Sequence, residues 1–207
     1  MKDAQGRQVT GRVRWRKFAV LAVPGFAATA ALAVALAQGA LAASFAVSGQ
    51  QFKVSADKLE GEGFAQYGGI DTNQRDEVIP VAVTAIKNAK LYNLCQSVVT
   101  ELGPLSISLK LSAGKDPDRP VTAKDLFVDA TQISGDAEFD HIEIGRDAST
   151  LDKGPTTAQG MQDAFAQQAD KVRITNLHQT AWATTAAKFR LVGLDLGLHK
   201  GKQECFK

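Results

Sequence analysis

The sequence predicts a mainly β domain, a jelly-roll, sandwich or short solenoid of about eight to ten strands with one short helix, preceded by an N-terminal membrane helix. Three features predict it. A long stretch without charge follows a basic N-terminus. Beyond residue 43 the apolar residues recur with a period of two, the spacing that lines one face of a strand. Clusters of Gly, Pro and Asp interrupt those runs where turns are needed.

The N-terminal part divides into a basic cytoplasmic flank, residues 1–17, and an apolar segment, residues 18–42. No charged residue occurs from Phe18 to Phe52, and the first part of that run, FAVLAVPGFAATAALAVALAQGALAA, is long and apolar enough to cross a bilayer as a helix. A uniformly apolar, Ala-rich stretch has no polar face for water, which argues against a buried core helix. Arg12, Arg14, Arg16 and Lys17 directly precede it, and positive residues stay inside, so residues 43–207 are expected to form an extracytoplasmic β-rich domain. Ala40-Leu41-Ala42 has the small-x-small pattern of signal peptidase sites, and cleavage there leaves Ala43 first. The apolar core, which runs to about Ala37, is longer than a usual signal-peptide core and favours retention as an anchor. Both outcomes, cleaved signal peptide and membrane anchor, stand as expectations. The twin-arginine pattern is broken by Trp15, and no cysteine follows closely enough for a lipid anchor.

The formal net charge of +2 hides a division. Residues 1–42 carry Lys2, Arg7, Arg12, Arg14, Arg16 and Lys17 against the single acid Asp3, so the remainder holds 18 basic and 21 acidic residues. The positive charge therefore belongs to the membrane flank and not to the domain, which argues against nucleic acid as a partner.

Within the domain, Ile107, Leu109 and Leu111 alternate with Ser and Lys. Phe189, Leu191, Leu194, Leu196 and Leu198 do the same with one offset at Val192-Gly193, read as a bulge. Shorter alternating runs occupy Phe45–Leu59, Val81–Leu94, Val121–Ile133 and Phe139–Ile144. Two stretches repeat: Val121-Thr-Ala-Lys-Asp-Leu126 leads to Ala137-Glu-Phe139, and Val172-Arg-Ile-Thr-Asn-Leu177 leads to Ala187-Lys-Phe189. Val54-Ser-Ala-Asp-Lys-Leu59 echoes their opening, and Val83-Thr-Ala85 is a fainter fourth. Either these are strand-pair units that stack on one another, or alternating strands simply resemble each other. Expected joints are Tyr67-Gly-Gly69 with Asp71–Asp76, Gly103-Pro104, Gly114–Pro120, and a mobile polar loop from Asp147 to Gln159. That loop leads into the one expected helix, about Thr157–Asp170, where Met161 and Phe165 fall one turn apart.

Two cysteines are present, Cys95 and Cys205. Outside the cytoplasm they are expected to form a disulfide, which on the chain-entropy model contributes at most roughly 4–5 kcal/mol for so long a loop.

The search for chemistry finds no catalytic or metal-binding constellation and implies no cofactor. A G-x-S-x-G elbow is missing, and the three histidines, His141, His178 and His199, lie in or beside alternating strands. Ser134 and Ser149 can be named as nucleophiles only for want of better. Neither H-E-x-x-H nor C-x-x-C occurs, and Asp116-Pro-Asp118 reads as a turn. Gly61-Glu-Gly63 has no third glycine and no helix after it, so it reads as a strand bend. Asp136 and Glu138, two apart on a strand, form a solvated face.

The string GRVRWRKFAVLAVPGFAATAALAVALAQGALAASFAVSGQQFKVSADKLEGEGFAQYGG, with NLCQS and the final QECF, resembles a family of actinobacterial envelope proteins of unknown function over nearly the whole chain. Members are sometimes labelled cholesterol esterase and often occur beside a small multi-span membrane protein; no motif of this chain can receive the esterase label. VTAKDLFVDATQISGDAEFDHIEIG also resembles, in composition, the strand units of periplasmic lipopolysaccharide-transport jelly-rolls, which hold acyl chains. The expectation is a non-catalytic cell-envelope protein, exported or anchored, whose β-domain binds a lipid or a membrane-protein partner. The rival expectations are a secreted ester hydrolase and a purely structural surface protein.

Overall fold

The computed structural model describes residues 47–207, so the expected membrane helix at 18–42 and the cleavage candidates Ala40, Ala42 and Ala43 lie outside the described residues. Eight strands make one antiparallel sheet: β1 (Phe52–Thr72), β2 (Val78–Tyr92), β3 (Leu94–Leu102), β4 (Leu105–Ala113), β5 (Val121–Asp140), β6 (Glu143–Asp147), β7 (Phe165–Arg190) and β8 (Asp195–Lys200). Their order is β6-β7-β5-β2-β1-β3-β4-β8, and β7 also pairs with β1. That last pairing closes β1, β2, β5 and β7 into a tube.

The register shows how four strands enclose a core. Lys171 on β7 lies opposite Glu62 on β1, Glu62 opposite Asn88 on β2, Asn88 opposite Lys124 on β5, and Lys124 opposite Lys188, again on β7. One circuit thus returns to the starting strand 17 residues further along, from 171 to 188. Four strands side by side span only about 19 Å, too little circumference to hold side chains inside. The stagger adds a component of roughly 56 Å along the strands, which raises the circumference to about 59 Å and the mean radius to ~9 Å. Inside that space lie Val54, Leu59, Phe64, Ile86, Leu91, Val121, Leu126, Val128, Val172, Ile174 and Leu177, with small alanines between them.

The repeats seen in the sequence have a common structural meaning. In Val121-Ala123-Leu126 and Val172-Ile174-Leu177 the buried positions run i, i+2, i+5, so the alternation slips by one residue. Val54-Ala56-Leu59 slips in the same way. In β5 and β7 the slip coincides with a left-handed residue, Asp125 (φ 49) and Asn176 (φ 53). Asp and Asn tolerate that conformation better than other residues with a Cβ. Gly63 (φ 69) serves the same purpose at a further slip in β1, before Phe64. The resemblance therefore reports a recurrent kink in long strands of one tube. The expected jelly-roll, sandwich or solenoid of stacked units is replaced by a single closed sheet.

Beyond the tube, β3, β4 and β8 continue as an open three-stranded extension attached where Lys53, Val54 and Ser55 meet Ser97, Gln96 and Cys95. The offset at Val192-Gly193 separates two strands: β7 ends at Arg190, and Gly193 (φ 65) sits in the turn before β8. Tyr67–Thr72 belongs to β1, so the joint expected from Tyr67 shrinks to the turn after Thr72, where Asn73 bonds Glu77.

The expected helix at Thr157–Asp170 does not form. Phe165 onward is β7, because Ala166, Gln167 and Gln168 pair with Tyr67, Gln66 and Ala65 of β1. The ladder to β1 outweighs the two apolar residues that suggested a helical face, and Met161 and Phe165 are exposed. The only helical turn among the described residues is the 3₁₀ turn Ala148–Thr150, capped by Asp147 accepting from the Ser149 amide. The segment expected to be mobile, Asp147–Gln159, is strapped to the outer face of the tube. Ala148, Leu151 and Ala158 pack there on Ala65, Ala85 and Ala166.

Candidate functional site

β5 is longer than its neighbour allows. Its pairing with β2 ends at Ala82 opposite Ala130, and from there to Asp140 it is held by β7 alone. Register shifts at Asp129/Ala130, Ala130/Gln132 and Ser134/Asp136 bend this arm. Gly135 (φ 152) belongs to the last of them, because an added Cβ would lie 2.7 Å from Ile174 Cγ2 and 2.8 Å from the Thr175 carbonyl.

Between the arm and the tube is a cavity of about 360 Å³. Leu59, Phe64, Ile86, Leu126, Val128 and Ile174 form its floor; Ile133, Ala137 and Phe139 close it from the arm. The Phe64 and Phe139 rings meet at 5.3 Å and 53°. Polar groups ring the apolar walls: Gln167 Nε2 donates to Gln66 Oε1 at 2.6 Å, and Gln66 Nε2 donates to Thr84 Oγ1 at 2.9 Å. On the arm, Thr131, Gln132, Ser134 and Ala137 are exposed, so the cavity opens there. The start of the domain lies at this mouth, since Gln51 Nε2 donates to Thr131 Oγ1 at 3.0 Å. An apolar pocket of this size with a few convergent polar groups is the usual form of a small-ligand site, typically ~300–1,000 Å³.

A larger groove of about 680 Å³ crosses the outer face, and its lining is charged and of mixed sign, including Glu60, Glu62, Lys124, Lys171 and Lys188. Glu60 is bonded to Lys58 at 3.0 Å and accepts from Tyr92 Oη at 2.9 Å. The Lys58 contact, more than the others, holds its carboxyl below the usual range. Asp136 and Glu138 are exposed on the arm, as expected of a solvated face.

A polar cluster fixes the strap. Fully buried Gln168 accepts from the Asp152 and Lys153 amides at 2.9 and 3.2 Å, and donates to Glu143 and Asp152 carboxylates at 2.9 and 2.8 Å. Lys153 Nζ bridges Asp170 at 3.0 Å and Glu143 at 3.2 Å, and the Asp170 contact is the main reason its ammonium is held above the ordinary lysine value.

Two acids stand apart from any cation. Burial, and then the neighbouring charge of Asp71, push the Asp129 carboxyl up to about 6. Asp71 is itself raised by burial, and its Oδ2 is buried without a hydrogen-bond partner. Asp129 lies in a run read as an alternating strand, between the apolar Val128 and Ala130, whereas Asp71 falls in a stretch read as a joint and belongs instead to the end of β1.

The candidate catalytic residues are not brought together. Ser134 Oγ contacts the His178 backbone carbonyl at 3.5 Å, while the His178 ring packs edge-on against Phe206 at 4.7 Å. His141 (φ 51) bonds Asp170 through Nδ1 at 2.9 Å, and Ser149 Oγ donates to Asp147 at 2.7 Å. His199 lies on β8. Among the described residues no cluster of three His, Cys, Asp or Glu could hold a metal ion. No helix among them is long and apolar enough to cross a membrane.

Cys95 and Cys205 are joined, with Cα atoms 5.8 Å apart across 110 residues of sequence. The bond ties the C-terminal tail to one face of the extension. There the Cys205 amide donates to Ser97 Oγ at 2.9 Å, and the Gln203 amide donates to Ser108 Oγ at 2.8 Å. Disulfides persist in oxidising compartments, which fits an extracytoplasmic location. The whole of this described architecture corresponds to one family match. The chain belongs to the DUF6230 family, a family of unknown function. The match covers residues 48–206, from the start of the domain to the residue after the second cysteine. Comparison with curated proteins and with solved structures finds no match.

Proposed function

We propose that this DUF6230 protein is a non-catalytic protein of the cell envelope, held on the extracytoplasmic side of the membrane, and that its β-tube binds a lipid by its acyl part. The observation that carries the reading is the cavity: apolar walls from Phe64, Ile86, Leu126 and Phe139, a polar rim, and an open side along β5. Its position supports a lipid over a soluble apolar molecule. The mouth residue Thr131 is bonded by Gln51, which lies in the uncharged run beginning at Phe18, so the start of the described domain borders the mouth.

The test is purification of the full chain from membranes in mild detergent, followed by mass spectrometry of co-eluting lipids. Wild type is expected to carry lipid in near-stoichiometric amount. Ala137→Trp, which plugs the exposed wall without touching the floor, is expected to lose it. Protein without lipid, or equal lipid on both proteins, overturns the reading. Hydrolysis of a short-chain ester that disappears in Ser134→Ala would favour the hydrolase instead, and a small multi-span membrane protein co-eluting in place of lipid would favour a protein partner.

A further inference from the structure

The open extension formed by β3, β4 and β8 has two unlike faces. One carries Cys95, Ser97 and Ser108 and is covered by the tail 201–207, through the disulfide and the bonds to Ser97 and Ser108. On the other, the register aligns Leu198 with Leu109 and Val98, and Leu196 with Leu111. Leu196 and Leu198 are 55% and 72% exposed, and Leu109 is also exposed. Side chains this apolar, aligned on an edge strand and left bare, mark a surface that something covers.

The covering surface can be identified from the path of the chain. Thr100 is on the apolar face, opposite Ile107, and its Oγ1 donates to Gln50 Oε1 at 3.0 Å. The Gln50 side chain therefore lies on this face, three residues after the described residues begin at Val47. Residues 18–52 carry no charge, and the bilayer-length apolar stretch ends only eight residues before Gln50, at Ala42. The Val47 amide donates to the Thr72 carbonyl, which brings the β1–β2 tip to the same place. That tip exposes Ile70 and Val78, 60% and 66% accessible, and the β3–β4 tip exposes Leu102 and Leu105. Lys200 lies opposite Ile107, on the apolar side, where a cation can reach lipid phosphates while its stem lies on the leucines.

We infer that the Leu109–Leu196–Leu198 face, with the β1–β2 and β3–β4 tips, is a membrane-docking surface that lays the domain on the lipid headgroup and acyl boundary. This rests on the reading of a membrane-held domain but not on the cavity. It goes beyond that reading because it fixes which side of the domain faces the bilayer.

The experiment uses the full chain reconstituted in vesicles of phosphatidylcholine and phosphatidylglycerol at 3:1. Leu198→Cys, or Leu196→Cys as a second probe, is labelled with an environment-sensitive fluorophore, with Lys188→Cys in the charged groove as the reference position. Intact mass first shows that the Cys95–Cys205 bond is retained. The inference expects a blue-shifted label at 198, quenched by spin-labelled acyl chains and protected from iodide, while the label at 188 stays water-like and open to iodide. A water-like label at both 196 and 198 overturns it. So does a label shielded from iodide yet untouched by spin-labelled lipid, the pattern of a second copy paired along β8. Lipid retained in the cavity by these same variants separates failure of docking from failure of the lipid-binding reading.

Discussion

Replacing Asp129 by Asn is expected to stabilise the domain at neutral pH and to do nothing in acid. In the folded state the Asp129 carboxyl is pushed up to about 6, first by burial and then by the charge of Asp71. In the unfolded chain an aspartate titrates near 3.9. Between about pH 4 and pH 6 the folded state therefore binds the proton more tightly than the unfolded state, so stability falls as pH rises through that window. Above it the penalty is complete. About two units correspond to roughly 3 kcal/mol, which partial exposure of Asp129 reduces to about 2 kcal/mol. Asn keeps the shape and removes the charge, so Asp129→Asn should gain about 2 kcal/mol near pH 7.5 and match wild type within about 0.5 kcal/mol near pH 4. For a domain of this size that is a rise in Tm of about 4–8 °C at the higher pH. Thermal and urea unfolding of both proteins at the two pH values measure it. Asp71→Asn should capture part of the same gain, because Asp71 contributes to the shift at Asp129 and its own carboxyl is raised by burial. Equal stability of wild type and Asp129→Asn at pH 7.5 would refute the reasoning. A difference of the same size at both pH values would assign the effect to packing and refute it equally.

Removing the disulfide as Cys95→Ala with Cys205→Ala frees a loop of 110 residues and should cost roughly 3–5 kcal/mol, with a fall in Tm of about 6–20 °C; an unchanged Tm would mean that the tail contacts alone hold the extension. Gly63→Ala places a Cβ 2.6 Å from the Lys153 carbonyl at a left-handed position, and should cost at least ~2 kcal/mol and loosen the strap, seen as faster hydrogen exchange over 148–164. Gln168→Leu leaves the Asp152 and Lys153 amides and two carboxylates without their partner and should cost about 2–4 kcal/mol by chemical denaturation, whereas Gln167→Leu, at the partly buried next position, should cost less.

The β class and the disulfide were legible because each depends on local signals: period-two alternation, turn residues, and two cysteines with nothing else to do. The closure of the tube was not. It depends on which strand β7 meets on each side, Ala166–Ala181 with β1 and Lys171–Arg190 with β5, and no local pattern encodes a partner that distant. The false helix at Thr157–Asp170 arose where a strand begins with small and polar residues, Ala166-Gln-Gln-Ala169, whose propensity favours helix until the ladder to β1 is available. The repeated Val-x-Ala-x-x-Leu strings were visible, but their meaning lay in backbone φ at Asp125 and Asn176. Of the candidate site, Phe139 ends one of the repeats visible in the sequence, while the cavity between it and Phe64 required knowing that β5 outruns β2.

That length mismatch links the fold to the proposed function. β5 has 20 residues and β7 has 26, but β2 has only 15, so the tube is closed on every side only where all its strands overlap. Past Ala130 the sheet cannot close, and the arm of β5 must either pack down on the core or stand away from it. The register shifts bend it, Gly135 lets it approach Ile174 closely, and Phe139 touches Phe64 at one end while Thr131 and Gln132 stay exposed at the other. Where the arm stops covering the core, the apolar lining gives up dispersion contacts on its open side. The chain instead reinforces the opposite outer face with the Gln168-bonded strap, which stiffens the tube around the opening. A rigid frame around an unfilled apolar space is the arrangement a preformed binding site requires.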